Sequence, residues 1–160
     1  MTTKPDPETI DVAAIVARHR AEQAEYILRA EELRPANKTA LFDALAAAGI
    51  TQVVVTFDGC GDSGQVEAID ARSGDNTVPV PPDEITVCSA AWGDPGFVAR
   101  TMTVEQAIEQ LAYDFLSDTH GGWENDDGAY GEFTFDVATR SISLDYNERF
   151  TSSEYYGHEF

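Results

Sequence analysis

The chain has 160 residues, enough for one domain with a sizeable core, and 42% of them are hydrophobic, which argues against a disordered protein. Its formal net charge is −19, and residues 39–160 hold 22 acids against four arginines. So acidic a chain is expected not to bind nucleic acid or an anionic membrane directly, whereas cations or a basic protein partner would suit it. The alternative is that the charge serves only to keep the protein soluble.

Targeting and redox features are few. The two cysteines, Cys60 and Cys88, lack the spacing of a zinc site or a disulfide framework,. The first residues do not form a signal-peptide pattern, and no apolar run approaches the roughly 20 residues of a membrane span. The sequence therefore predicts a soluble protein of the cytoplasm, with no membrane partner.

Two helices are predicted at the start of the chain. Apolar residues recur at three- and four-residue steps over residues 8–33, and Arg34-Pro35 is expected to end this helix, since the residue before a proline avoids the α region,. A second helix is expected over residues 38–48, with Asn37 as its N-cap.

A β-hairpin follows these helices. Residues 50–57 are rich in β-branched side chains, and residues 65–70 read as the returning strand,. The alternation places Val53, Val55 and Phe57 on the buried face.

The middle of the chain is expected to be less regular. Residues 71–83 are polar and rich in Gly and Pro, and we expect them to form a long mobile connection,. Residues 84–88 predict a short strand, and residues 92–96 predict a turn.

A third helix and a second hairpin complete the predicted elements. Thr103 and Gln106 fit a capping box at the start of the helix, and its apolar stripe is expected to bury Ile108, Leu111 and Phe115. Residues 132–146 contain two alternating runs around a short turn, which predicts a hairpin with one buried face.

The predicted fold class is α+β: an antiparallel sheet built from two hairpins and packed against about three helices. We expect one domain over residues 1–160. Within it, residues 1–36 would form an N-terminal helix, residues 37–150 the core, and residues 151–160 a tail.

The first of two loops that combine glycines with acids spans residues 57–67. Its candidate binding residues are Asp58, Asp62 and Glu67, whose oxygens are the ligands that Ca²⁺ or Mg²⁺ prefers,, although the spacing is not that of an EF-hand. The alternative is a plain hairpin turn, in which Asp58 and Asp62 bind loop amides and glycines take positive φ.

The second loop spans residues 120–133. Two carboxylates held close together there could perform general acid–base chemistry or share a cation, but no nucleophile with an adjacent base is evident. Its candidate binding residues are Trp123, Glu124, Asn125, Asp126, Asp127 and Glu132. A metal shared by both loops would take its ligands from Asp58, Asp62, Glu124 and Asp127.

Three stretches carry a family resemblance: residues 56–65, residues 121–133 and residues 144–149. In them, and over roughly residues 38–150, the chain resembles the uncharacterised bacterial DUF6878 family. Cys60 stands where a small residue such as serine is expected. The resemblance implies a bacterial, intracellular protein and supplies no activity.

Two functions of different classes fit these observations. The first is a non-enzymatic binding or accessory protein that docks a basic partner surface. The alternative is a divalent-metal-dependent hydrolase in which carboxylates of the two loops converge on one cation. Whether the two loops meet in space discriminates between them.

Overall fold

The computed structural model describes residues 11–92 and 96–160. Residues 8–10 of the first predicted helix and residues 93–95 of the predicted turn lie outside this description. The described elements are α1 (Val12–Ala47), β1 (Gln52–Cys60), β2 (Ser63–Ser73), β3 (Asn76–Val78), β4 (Glu84–Ala90), β5 (Phe97–Thr103), α2 (Val104–Thr119), β6 (Ala129–Asp136) and β7 (Ser141–Glu148).

The strands form two separate antiparallel groups. Five of them make one sheet in the order β3-β2-β1-β6-β7, and β4 pairs with β5 in a separate two-stranded sheet. The two predicted hairpins, β1–β2 and β6–β7, are confirmed, and they join edge to edge because β1 also pairs with β6. The fold is therefore α+β, as predicted.

The helix α1 corrects the prediction of two N-terminal helices, and the described chain has two helices rather than about three. Pro35 lies inside α1, although proline removes a helical hydrogen bond. Side chains on both sides of it bind the body of the protein. Arg34 forms an ion pair with Asp118, and the Asn37 amide donates to Cys88 O (2.7 Å) and accepts from Cys88 N (2.8 Å). Asn37 therefore binds a strand and does not cap a helix.

The first hairpin has the predicted buried face. Val53, Val55 and Phe57 are fully buried. A β-bulge interrupts the β1–β2 register between Thr56 and Phe57, so Glu67 becomes the extra residue of β2 at that point.

Two short strands were not predicted from the sequence. β3 lies within the connection expected to be irregular, and β5 follows the predicted turn. Five of the seven residues of β5 are exposed, and its sequence lacks the strict alternation of apolar and polar residues by which strands are recognised,.

The core lies between one face of the five-stranded sheet and the two helices. The capping box at Thr103 and Gln106 is confirmed. Ile108 and Leu111 are buried as predicted, and Phe115 is half-buried against the core. The last turns of α1 supply the other helical part of the core, Leu41, Phe42 and Leu45.

We expect Leu111→Ala to lower the free energy of unfolding by about 2–5 kcal/mol, because truncation of a buried leucine leaves a cavity. Leu111 is only 5% exposed. Urea unfolding would measure the loss, with the exposed neighbour Gln110→Ala as the control, which should change stability by about 0.5 kcal/mol or less. A loss for Leu111→Ala well under about 1 kcal/mol would contradict its place in the core.

The other face of the five-stranded sheet, here called the open face, carries no buried side chain among its described residues. Cross-strand partners share a face, so the register of β1, β2, β6 and β7 defines its members. Its charged side chains are Asp58, Asp70, Arg72, Glu132, Asp136 and Asp145.

Candidate functional site

The two glycine-and-acid loops meet at one end of the sheet. The Gly61 N–H donates to the Asp126 carbonyl at 3.0 Å. Gly128 has a φ of +76°, and a Cβ added to it would lie 1.7 Å from the Gly59 carbonyl oxygen. The loop backbones are therefore in direct contact.

Trp123 fills the space between the loops. It is 8% exposed, and its ring meets the Phe57 ring edge-on with centroids 5.5 Å apart. A Cβ at Gly59 or Gly64 would lie 2.6 or 2.4 Å from this ring. These glycines therefore admit a large buried side chain, and Trp123 is a packing residue of the site.

Arg149 binds both loops at once. Its Nη1 and Nη2 donate to the two Asp58 carboxylate oxygens at 3.0 Å each, and Nη1 also donates to Gly59 O at 3.1 Å. The guanidinium carbon lies 4.6 Å from the centroid of the Tyr130 ring, and the backbone N–H donates to Gly128 O at 2.9 Å. The hydrogen bond to Asp58 raises the pKa of Arg149 above its usual value.

Sequence reasoning missed Arg149 as a site residue. The available signal was its place at the end of residues 144–149, one of the three stretches that carry the family resemblance, in a chain with four arginines after residue 38. Its contacts also reveal a partner of Asp58 that was not predicted. Both Asp58 oxygens accept hydrogen bonds from this guanidinium, which comes from the far end of the chain.

Three other predicted site residues have local roles in the loop backbones. Asp126 has a φ of +58° and accepts from the first loop through its carbonyl, as described above. Asn125 donates its N–H to Gly122 O and accepts from Gly128 N at 2.9 Å. Asp127 accepts a hydrogen bond from the Thr151 hydroxyl at 2.8 Å.

The remaining predicted residues occupy different elements of the fold. Asp62 is exposed in the turn between β1 and β2, and Glu67 is exposed on β2. Glu124 is half-buried beside Trp123, and Glu132 lies on the open face, directly opposite Asp145 of β7.

The contact between the loops does not bring their acids to one point. In residues 11–92 and 96–160, no three His, Cys, Asp or Glu side chains form a group that could hold a metal ion. The expected ligands Asp58, Asp62, Glu124 and Asp127 accordingly do not form such a group.

A ring stack borders the second loop. His120 and Tyr146 lie parallel, with centroids 3.6 Å apart and an interplanar angle of 4°. Burial raises the pKa of Tyr146 above its ordinary 10.0, and the negative charges of Glu148 and Glu124 add to the effect.

The raised pKa of Tyr146 predicts how the stability of the fold changes at alkaline pH. The unfolded chain releases the Tyr146 proton at a lower pH than the folded chain, so stability falls as the pH rises through and above 10.0,. We expect Tyr146→Phe to lose less stability than the parent between about pH 9 and 11 in urea unfolding. Tyr155→Phe, at an exposed position, is the control. The same alkaline loss in Tyr146→Phe as in the parent would contradict this role.

The chain is therefore an α+β domain in which two glycine-and-acid loops meet around Trp123. Arg149 binds both loops. The family model for DUF6878, a family of unknown function, matches residues 33–160. The chain belongs to this family. No curated protein and no solved structure matches the chain. Neither of the two described helices has the length and apolar character needed to cross a membrane.

Proposed function

We propose that this protein is a non-enzymatic binding or accessory protein that docks a basic partner surface on the open face of its sheet. The observation that carries the proposal is the pair Glu132 and Asp145, which lie directly opposite each other on β6 and β7. Like charges at such positions repel each other and destabilise the pair of strands. A basic partner would attract both carboxylates and so offset the repulsion between them.

The charge around this pair supports the same function. The open face carries five carboxylates against one arginine, Arg72. Of these carboxylates, Asp58 is neutralised by Arg149. None of the ion pairs found within residues 11–92 and 96–160 includes Asp70, Glu132, Asp136 or Asp145. Such a field accelerates association with a basic surface and makes it sensitive to salt.

The metal-dependent hydrolase has less support from the geometry. Its loops do meet, which that function required, but Asp58 gives both oxygens to Arg149, and the other expected ligands do not gather around one point. A cation site would need carboxylates from both loops to approach closely. We therefore place the function on the open face. The free thiols of Cys60 and Cys88 suit a reducing compartment such as the cytoplasm.

A ten-residue lysine peptide serves as the probe of this surface. We expect Glu132→Gln with Asp145→Asn to weaken its binding by about fivefold at low salt, since each exposed charge contact is worth roughly 0.2–1 kcal/mol. Isothermal titration calorimetry would measure the dissociation constant at two NaCl concentrations. The same substitutions should raise the melting temperature slightly, because the cross-strand repulsion is removed.

The matched control is Glu25→Gln with Glu32→Gln, which removes the same charge from exposed positions of α1. Its effect on peptide binding should be clearly smaller. Equal weakening by the two double variants would show that the peptide responds to net charge alone, and it would contradict a docking site on the open face.

A further inference from the structure

The first turns of α1 form an exposed basic and apolar surface, which we call the helical arm (residues 12–21). All ten residues are exposed, and they include Arg18 and Arg20 but no acid. Glu22, the residue after the arm, forms an exposed ion pair with Arg18 at 3.2 Å. Val12, Ile15 and Val16 are 66%, 55% and 42% exposed. The only other acid-free stretch of ten residues with two positive charges is residues 33–42, which packs on the core through Leu41 and Phe42.

Trp92, which lies between β4 and β5, extends the apolar part of this surface. Trp92 follows β4 and packs against two rings of α1, His19 at 5.6 Å and Tyr26 at 5.5 Å. It is still 48% exposed, and Phe97, which opens β5, is 62% exposed. Exposed apolar patches rimmed by polar residues are typical of interaction sites.

A second exposed surface lies at the other end of the chain, in residues 150–160. This segment has no regular secondary structure, and every residue in it is exposed. It contains four large aromatic residues, of which Phe150, Tyr155 and Tyr156 are 84%, 92% and 74% exposed. Its charged residues are Glu154 and Glu159, with no Lys or Arg. The family match includes this segment.

We propose that the 150–160 segment of one chain docks on the helical arm and Trp92 of a second copy. The two surfaces are complementary in charge, since the arm carries two arginines and the segment carries two glutamates without a Lys or Arg. The ion pair of Arg18 with Glu22 is exposed and therefore weak,, so a carboxylate of the segment can replace Glu22. No ion pair found within residues 11–92 and 96–160 includes Arg20. The two surfaces are also complementary in character. The exposed aromatic side chains of the segment would cover the exposed Val12, Ile15 and Trp92, and aromatic residues are the usual anchors of such interfaces.

The complementary charge and apolar character of the two surfaces favour a second copy of this chain as the partner. Each copy offers both an arm and a segment, so a two-fold dimer makes the same contact twice. The exposed apolar side chains of the arm and of the segment are then removed from water together, and this burial favours association. This inference is independent of the docking proposed for the open face, because none of its residues lies there.

Charge reversal tests the contact. We expect sedimentation equilibrium of the full chain, from about 1 to 200 µM, to show a monomer–dimer equilibrium. Arg18→Glu with Arg20→Glu should raise the dimer dissociation constant at least about tenfold, and Glu154→Lys with Glu159→Lys should do the same. Carrying all four substitutions in one chain should restore dimerisation to within about threefold.

A mixture of the two double variants separates contact between copies from contact within one chain. Neither variant should self-associate well, but together they should form a heterodimer, because each arm then meets a segment of opposite charge. Arg72→Glu on the open face is the control and should leave dimerisation unchanged. The proposal is overturned if the parent chain stays monomeric at the highest concentration, if the fourfold variant is no better than the double variants, or if the mixture fails to associate.

Discussion

Gly128→Ala is expected to lower the free energy of unfolding by at least about 3 kcal/mol, because a positive φ and a steric clash act together there. The φ of Gly128 is +76°, and its added Cβ would lie 1.7 Å from the carbonyl oxygen of Gly59. The atom in the way is backbone, so no side-chain rotation can relieve the contact. Denaturant unfolding followed by tryptophan fluorescence would measure the loss, since Trp123 lies in the same junction.

Gly74→Ala is the matched control for this prediction. Gly74 has a φ of +63° with nothing within 4 Å of the added Cβ, so it isolates the conformational part of the cost, about 1 kcal/mol. A loss for Gly128→Ala no larger than that for Gly74→Ala would mean that the two loops separate readily, and the junction between them would be weaker than the structure shows.

Trp123→Ala is expected to cost about 3–5 kcal/mol, the range for truncating a large buried aromatic side chain. Its ring occupies the space above Gly59 and Gly64 and contacts Phe57. Removing it leaves a cavity that two glycines cannot fill. Thermal and urea unfolding followed by circular dichroism would measure the change, because this variant loses part of the fluorescence signal.

The control is Trp92→Ala, which removes the other tryptophan of the chain. Trp92 is 48% exposed against 8% for Trp123, so its loss should change stability by about 1 kcal/mol or less. If the two variants lost similar stability, Trp123 would not be the packing centre of the loops. Trp123→Phe should fall between Trp123→Ala and the parent chain, since part of the volume is kept.

The regular elements with a strong period were predictable from the sequence. In β1 the alternation of Val53, Val55 and Phe57 fixes one buried face, and the structure places all three in the core. In α2 the capping box marks the start of the helix, and the apolar stripe marks its buried face. In these segments local preference and tertiary packing favour the same structure, which is why the sequence suffices.

The start of the chain was not predictable in this way. The Arg34-Pro35 pair is a local signal for the end of a helix, but α1 continues because Arg34 binds Asp118 and Asn37 binds Cys88. Those partners are far along the chain, and their positions depend on the whole fold. A rule based on neighbouring residues therefore cannot include the long-range contacts that help α1 continue past Pro35.

The candidate site likewise has a part that the sequence predicts and a part that it does not. The glycines and acids of both loops mark a special backbone, and the structure brings the loops together. Arg149, which lies outside both loops, binds Asp58 of the first loop and Gly128 of the second, and it is 91 residues from Asp58 in the sequence. Long-range pairing of this kind cannot be deduced from spacing. Once Asp58 is seen to bind an arginine, most of the reason for expecting a metal ion there disappears.

The position of β1 in the sheet also determines when the sheet can be completed during synthesis. One edge of β1 pairs with its near neighbour β2, but the other edge pairs with β6, between residues 52 and 136. Until the ribosome has released most of the chain, the β-branched run Val53–Phe57 has an unpaired edge. Such an edge is prone to intermolecular pairing, and closure over a long sequence separation slows folding. The nascent chain therefore carries an aggregation-prone strand edge until β6 emerges.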